Sequence, residues 1–369
     1  MSKKYDYVIV GAGIYGAVFA QQMKESGKSV LVLDARPHIA GNCYSENFQD
    51  TRINFHKYGT HIFHTNDQRT WDYVNRFTEF NHYRHTVLTT FQNRVYSMPI
   101  NLGTINSFYG VQLVPSEVEA FLADKKTSIS SPRNLEEKAI SLIGRDLYEA
   151  FIRGYTLKQW QRDPKDLPAS IITRLPVRNN YDASYFSDRY QGIPVDGYTP
   201  MFERMLEGVD IELGVDFFSD ASYFRSRGRK LIYTGAVDRF FNHQHGNLTW
   251  RSVRFETEFL SLADYQGTSV MNYADEAIPW TRIHEPQHLH PERGLSNTPG
   301  TLLQKEFSYT NDKEPYYPVN SVDDKAMLAQ YETMVQQERD VIFGGRLAEY
   351  KYYDMHQVVA SALARVRRE

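Results

Sequence analysis

The chain has 369 residues, 41% of them hydrophobic, enough for more than one core, and its 42 basic and 45 acidic residues leave a net charge of −3. Such a balance excludes a general pull toward nucleic acid or an anionic membrane, so an anionic ligand has to be caught locally. A single cysteine, Cys43, excludes an intramolecular disulfide and a thiolate metal cage, and no apolar run approaches the ~20 residues of a bilayer span. With no signal-like leader before "YDYVIV", a cytoplasmic protein is expected. Twenty-six tyrosines exceed what an aliphatic core needs and suggest stacking and hydroxyl contacts to a ligand.

The N-terminal "YDYVIVGAGIYGAVFAQQMKESGKSVLVLD" predicts strand, glycine turn, amphipathic helix ended by Gly27, and a second buried strand ending at Asp34. Gly11, Gly13 and Gly16 fit G-x-G-x-x-G, which gives a tight turn, room for a pyrophosphate and close helix–strand packing. The helix N-terminus then faces the phosphates, and Asp34 lies where an acid accepts hydrogen bonds from ribose. In "ARPHIAGN", Arg36 can pair with phosphate and Gly41-Asn42 turns the chain back, an insertion that favours FAD over NAD. Next, "KYGTHIFHT" carries His61 and His64, which could be metal ligands, core residues or the lining of a cofactor pocket. A zinc site needs more ligands than this segment supplies, and no metal is expected.

From about 98 to 158 the pattern turns helical, with Ile140, Ile143, Leu147 and Phe151 on one face, and Tyr155, Thr156, Lys158 and Trp160 close the segment. Tyr155 and Trp160 read equally as an interface pair or a stacking platform for a base. The proline-punctuated basic run that follows, near 165–180, reads as a mobile lid holding Arg174. "KLIYTGAVDRFF" predicts a strand ending in a Thr-Gly turn. From 245 to 285, "LTWRSVRFETEFL", "TSVMNYAD" and "AIPWTRIHE" alternate as strands of an antiparallel sheet, and "HEPQHLH" reads as a solvated turn. Arg174 and Arg282 could neutralise a diphosphate by forked hydrogen bonds. Tyr185, Tyr316, Tyr317, Tyr352 and Tyr353 offer uncharged hydroxyl donors. The C-terminal "VIFGGRLAEYKYYDMHQVVASALARVRRE" predicts a strand, a Gly344-Gly345 turn and a helix with apolar Val358, Val359, Ala362, Leu363 and Val366.

The segments "GAGIYGAV", "YGTHIFHT", "YTLKQW", "TRLPVR", "YFSDRYQGIP", "PWTRI", "EPYYPVN" and "GRLAEYKYYDM" occur in order along nearly the whole chain. With them the sequence resembles the bacterial UDP-galactopyranose mutases. The resemblance implies an α/β fold: a discontinuous Rossmann-type FAD-binding domain (1–85, 194–243 and 314–369), an inserted helical domain (98–158) and a twisted antiparallel β-sheet domain (86–97, 159–193 and 244–313). It also implies a homodimer and a UDP-hexose substrate. Carried over residue by residue, Phe151, Tyr155, Thr156 and Trp160 would hold uridine, and Arg174 and Arg282 would clamp the diphosphate. Tyr185, Tyr316, Tyr317 and Tyr352 would contribute to the same pocket, with Asn272 lining it. His61 and His64 would run along the isoalloxazine, His64 near the reacting nitrogen, and Arg346, Asp354 and Met355 would meet the flavin. Arg174, Arg282 and His64 are thus the expected catalytic residues.

The reaction implied interconverts the pyranose and furanose rings of the nucleotide sugar with no net redox change, through a covalent adduct of the sugar with N5 of reduced FAD. Four positions depart from the family pattern: Asp34 for glutamate, Ala40 for glycine, Trp280 for a smaller aromatic, and Thr60 for the proline of many members. Because Thr60 would lie close to the sugar, UDP-N-acetylgalactosamine or a dTDP-deoxyhexose is the alternative substrate. Outside this chemistry, the sequence is open to an amine-oxidase-like flavin oxidoreductase, or to a protein that only holds nucleotide sugars.

Overall fold

The computed structural model describes residues 4–174, 177–294, 298–310 and 314–369. A five-stranded parallel sheet forms its first layer. The strand order is Val341–Phe343, Gly228–Tyr233, Tyr5–Val10, Val30–Asp34 and Asp210–Leu213, so distant parts of the chain are brought edge to edge. Both faces of the central apolar strands are covered, as a parallel sheet requires, while the edge strand Asp210–Leu213 is largely open. On one face Val18 and Phe19 of the helix Ile14–Glu25 pack with Val358, Val359 and Ala362 of the helix Met355–Val366. On the other, Leu31, Leu33 and Tyr233 meet Phe217 and Phe224. The glycine turn, the Thr-Gly turn after Tyr233 and the C-terminal strand and helix therefore occur as the sequence indicates.

The second layer is a seven-stranded sheet in the order Tyr317–Pro318, Trp250–Leu260, Thr301–Thr310, Arg282–His284, Val270–Tyr273, Val87–Phe91 and Arg94–Met98. Its pairs are antiparallel except where Val270–Tyr273 runs parallel to Val87–Phe91, the point at which two separate stretches of chain meet. The register sets Arg282 opposite both Asn272 and Glu306.

Helices occupy the intervening segment: Leu102–Tyr109, Val118–Ala123, Leu135–Leu147 and Gly154–Trp160. Asn101 and Asn134 cap two of them by accepting the backbone N–H of Thr104 and Glu137, respectively. Residues Tyr148–Arg153 widen into a π-helical turn, a deformation often found beside functional sites. That turn feeds Gly154, where an added Cβ would stand 2.3 Å from the carbonyl oxygen of Ala274. Only glycine lets the helix lie so close to the sheet, and the contact fixes where Tyr155 and Lys158 project.

The expectation of a solvated turn at "HEPQHLH" is corrected. Glu285 is fully buried and accepts the backbone N–H groups of Tyr265 and Gln266 and the hydroxyl of Thr301, while His284 and His290 are 2% and 1% exposed. The polar letters suggested solvent, but a buried carboxylate gathers loop donors here and serves as an anchor.

Candidate active site

The site begins at the glycine turn. An added Cβ on Gly16 would lie 2.0 Å from the carbonyl oxygen of Gly11, so the helix can start against the strand only with glycine there. The Asp34 carboxylate accepts the N–H of Ala12 at 2.7 Å and of Arg36 at 2.9 Å, tying the turn to the end of the second strand. Ala40 binds back through its N–H to the carbonyl of Ala12 and takes φ 73°, the left-handed conformation that explains why glycine suits this position. Gly41 then faces Gly13 so closely that its Cβ would sit 3.0 Å from the Gly13 Cα. The result is a side-chain-free cradle of backbone groups at a helix N-terminus, which fits the pyrophosphate of a dinucleotide. Arg36 donates to Asn42 at 2.9 Å, and its guanidinium lies 4.1 Å from the ring centre of Tyr58, a residue that sequence reasoning did not single out.

His61 and His64 turn out to have different settings. His61 donates Nδ1–H to the carbonyl of Gly59 at 2.6 Å, and burial pulls its pKa down to about 4 against that hydrogen bond, so the ring is neutral at pH 7. His64 stacks on Phe186 with ring centres 3.7 Å apart, and its Nδ1 lies 2.6 Å from Asp188. Asp188 also accepts from Asn66 at 2.6 Å, pinning the antiparallel pair that carries His64. Asp354 opens the C-terminal helix, its N–H held by Gln357 at 2.8 Å. Met355 meets the thiol of Cys43 at 3.6 Å. Asp354, His356 and His64 bring ligand-type atoms within 4.8 Å of one another, as do Asp264, Glu285 and His288, so the fold supplies acids that the sequence segment lacked.

A second group of residues forms a cationic cluster. Arg282 donates to the hydroxyl of Tyr155 and pairs through Nε with Glu306 at 3.3 Å. Burial disfavours its charge, but the Glu306 carboxylate holds its pKa well above the usual value. Glu306 is itself buried at 3% exposure, which would raise its pKa; Arg282 and the hydrogen bond from His284 outweigh burial and hold it at about 2. His284 reaches Glu306 with Nε2 at 2.9 Å and Thr60 with Nδ1 at 2.7 Å. Tyr317 stacks on Tyr352 at 5.5 Å, and the Arg346 guanidinium lies 5.8 and 5.3 Å from those two rings. Arg282 touches Tyr155, and Tyr185 and Tyr317 lie near enough to act on its charge, a donor-rich neighbourhood suited to a diphosphate.

The other expected residues have varied settings. Phe151 is 4% exposed, with its ring edge-on to Phe91, Tyr96 and Phe108, behind the helix that presents Tyr155. Thr156 is buried and Trp160 half-buried on the same helix. Tyr316 is buried toward Arg36 and Tyr58, on the cradle side, and its carbonyl accepts from Arg346 at 3.2 Å. Asn272 keeps a buried Oδ1 without a hydrogen-bond partner, beside Arg282 in register. Arg174 ends the 3₁₀ turn Ala169–Arg174, and its side chain lies outside the described residues, as does part of the 165–180 loop.

Sequence reasoning missed Glu306, His284 and Asp188 as partners, and two cations, one half-buried and one buried. Lys158 donates to the carbonyls of Tyr273, Asp275 and Trp280 at 2.6, 2.9 and 3.1 Å, and burial lowers its pKa to about 8. Arg251, 3% exposed, donates to the Gln159 carbonyl at 3.0 Å and to Ser308 at 2.8 Å; burial, then Arg162, lower its pKa to about 10. A signal existed for two of these. In a strand at 282–284, Arg282 and His284 share a face, and in Thr301–Thr310 the polar Gln304, Glu306 and Ser308 fall on one side.

Comparisons with known proteins place the chain among relatives. Residues 150–352 match the family model described as UDP-galactopyranose mutase, and residues 9–77 match that of an NAD(P)-binding Rossmann-like domain. A probable UDP-galactopyranose mutase of Klebsiella pneumoniae is 41% identical over 361 residues, spanning 96% of this chain and 92% of the relative. A dTDP-fucopyranose mutase of Escherichia coli is 39% identical over 368 residues, spanning 96% of each. Among solved structures, a reduced UDP-galactopyranose mutase superposes with a TM-score of 0.76 at 14% identity, covering 100% of this chain and 93% of the other. A redesigned putrescine oxidase superposes at 0.60 and 10% identity, covering 100% and 99%. At these identities the last two speak for the fold alone.

Proposed function

The chain belongs to the UDP-galactopyranose mutase family, and from that premise we propose that it binds FAD and, with the cofactor reduced, interconverts UDP-galactopyranose and UDP-galactofuranose. The observation that carries this reading is the Arg282 cluster, an arginine paired with a buried carboxylate and donating to the Tyr155 hydroxyl, in a chain that also builds a dinucleotide cradle. Gly11, Gly13, Gly16, Asp34, Arg36, Gly41 and Asn42 would hold the adenosine diphosphate half of FAD. His61, His64, Arg346, Asp354 and Met355 would border its ring system. Reduced FAD, when bound, supplies the nucleophile for the anomeric carbon of the sugar.

The protein's own part is binding and charge stabilisation. Tyr155, Thr156 and Trp160 would receive the uridine. Arg282, with Arg174, would neutralise the diphosphate as it leaves the sugar, and Tyr185, Tyr317 and Tyr352 would donate to its oxygens without adding charge. Glu306 keeps Arg282 from turning away. Neutral His61 adds no cation to compete with these arginines. Closure of the 165–180 loop would exclude water from the reacting sugar.

A second reading, the same chemistry on a dTDP-deoxyhexose, is favoured by the 39% identity to a dTDP-fucopyranose mutase. Incubation of the dithionite-reduced holoprotein with UDP-galactofuranose, UDP-N-acetylgalactofuranosamine and dTDP-fucofuranose, followed by chromatography of the nucleotide sugars, decides between them. Preferential conversion of UDP-galactofuranose is the expected outcome. Preference for the dTDP sugar would transfer the proposal to the second reading, and conversion of none would remove it.

A further inference from the structure

The hydrogen bonds around His284 have a direction, and the direction bears on how the sugar is recognised. Glu306 is ionised at neutral pH, so it only accepts, and its partner at 2.9 Å, His284 Nε2, must carry the proton. Burial, more than the opposing bond to Glu306, lowers the pKa of His284, so the ring is neutral and Nδ1 is bare. The Thr60 hydroxyl at 2.7 Å therefore donates to Nδ1. Its single proton is used, and its oxygen keeps lone pairs only. Phe255 packs edge-on against the His284 ring at 5.8 Å, and an added Cβ on Gly59 would lie 2.9 Å from Phe255, so imidazole and loop are held from behind.

Thr60 stands in a telling place. It is half-buried, follows Gly59 and precedes His61 on the way into the strand Phe63–Thr65. His284 lies close enough to both His61 and Arg282 to perturb or be perturbed by their charge. Thr60 is thus set between the residues assigned to the cofactor ring and those assigned to the diphosphate, where the sugar has to lie if the proposed function holds.

We propose that Thr60 is a specificity-determining residue: its hydroxyl, oriented by the His284–Glu306 pair, accepts a hydrogen bond from one of the 2-, 3- or 6-hydroxyls of the bound hexose, which take no part in ring closure. The inference rests on the mutase reading and deepens it. An acceptor-only oxygen favours a sugar hydroxyl at that point over a carbonyl or ether oxygen, because two lone pairs facing each other leave both unsatisfied. His284 is a positioning residue in this arrangement and does not touch the substrate.

The test compares the dithionite-reduced wild-type holoenzyme with Thr60→Val and Thr60→Ser on UDP-galactofuranose and its 2-, 3- and 6-deoxy analogues, which keep the O4 and O5 that exchange in the ring. Affinities for UDP-galactopyranose and for UDP alone are measured alongside by calorimetry. A lost neutral hydrogen bond corresponds to a fall of about 3- to 10-fold in kcat/KM. The expected pattern is that fall for Thr60→Val on the parent sugar and on all analogues but one, near-wild-type values for Thr60→Ser, and unchanged UDP affinity. The exceptional analogue, which lacks the bonded hydroxyl, should be converted equally by wild type and Thr60→Val. An equal loss on every analogue, or a fall in UDP affinity, would mean that Thr60 merely braces Arg282 and would overturn the inference. Failure of the wild type to convert UDP-galactofuranose at all would refute the mutase reading on galactose and this inference with it.

Discussion

Replacing Glu306 with glutamine removes a charge while keeping shape, and the structure sets the size of the effect. Glu306 is buried, faces Arg282 at 3.3 Å and His284 at 2.9 Å, and also accepts the Thr281 hydroxyl at 3.2 Å. An ordinary glutamate at 4.5 is held here at about 2, which at about 1.4 kcal/mol per tenfold change is worth roughly 3 kcal/mol. Breaking a buried ion pair from one side typically costs about 3–5 kcal/mol, so the two routes agree. The sign follows from the depressed pKa. The contribution is complete above the unfolded value near 4.5 and is lost as the pH falls toward 2. Urea titration of Glu306→Gln against wild type should show a loss of roughly 3 kcal/mol at pH 7 that has shrunk by most of its size at pH 3. A loss below about 0.5 kcal/mol at pH 7, or one independent of pH, would refute the claim that Glu306 is the charged keystone of the site.

Arg282→Lys keeps the charge but loses the planar fork, and kcat/KM for ring interconversion should fall about 100-fold or more; a fall under about 5-fold would deny Arg282 its role at the diphosphate. Gly16→Ala forces a Cβ to 2.0 Å from a backbone oxygen, so the purified variant should retain little flavin and melt at a lower temperature than wild type. Lys158→Met leaves three carbonyls without their donor and should cost about 1–3 kcal/mol in stability, with a raised KM as Tyr155 shifts; unchanged melting would show that water replaces the ammonium group.

Local pattern made the dinucleotide half of the fold legible. The glycines, the flanking apolar runs and Asp34 act within one continuous unit, and their spacing carries the geometry. The strand segments near 250, 270 and 282 were legible for the same reason, although alternation could not show that Val270–Tyr273 would pair in parallel with Val87–Phe91. For Phe151, helical spacing predicted a core face, and the structure buries its ring among Phe91, Tyr96 and Phe108, while its place at uridine is what the resemblance implies. Glu306, Lys158 and Arg251 escaped notice because each draws its meaning from partners on a different strand or helix. Their letters alone look like ordinary surface charges. His284 and Glu285 in "HEPQHLH" were misread as solvated for the same reason, since polar composition suggests water until a buried partner is seen.

The central claim is that redox state gates a reaction with no net redox change. The direct measurement incubates the purified protein with UDP-galactofuranose anaerobically, with the flavin reduced by dithionite and with it oxidised, and follows UDP-galactopyranose by chromatography. Conversion with reduced protein and little or none with oxidised protein is the expected result. Equal conversion in both states, or no conversion together with oxygen consumption on amines or alcohols, would contradict the account.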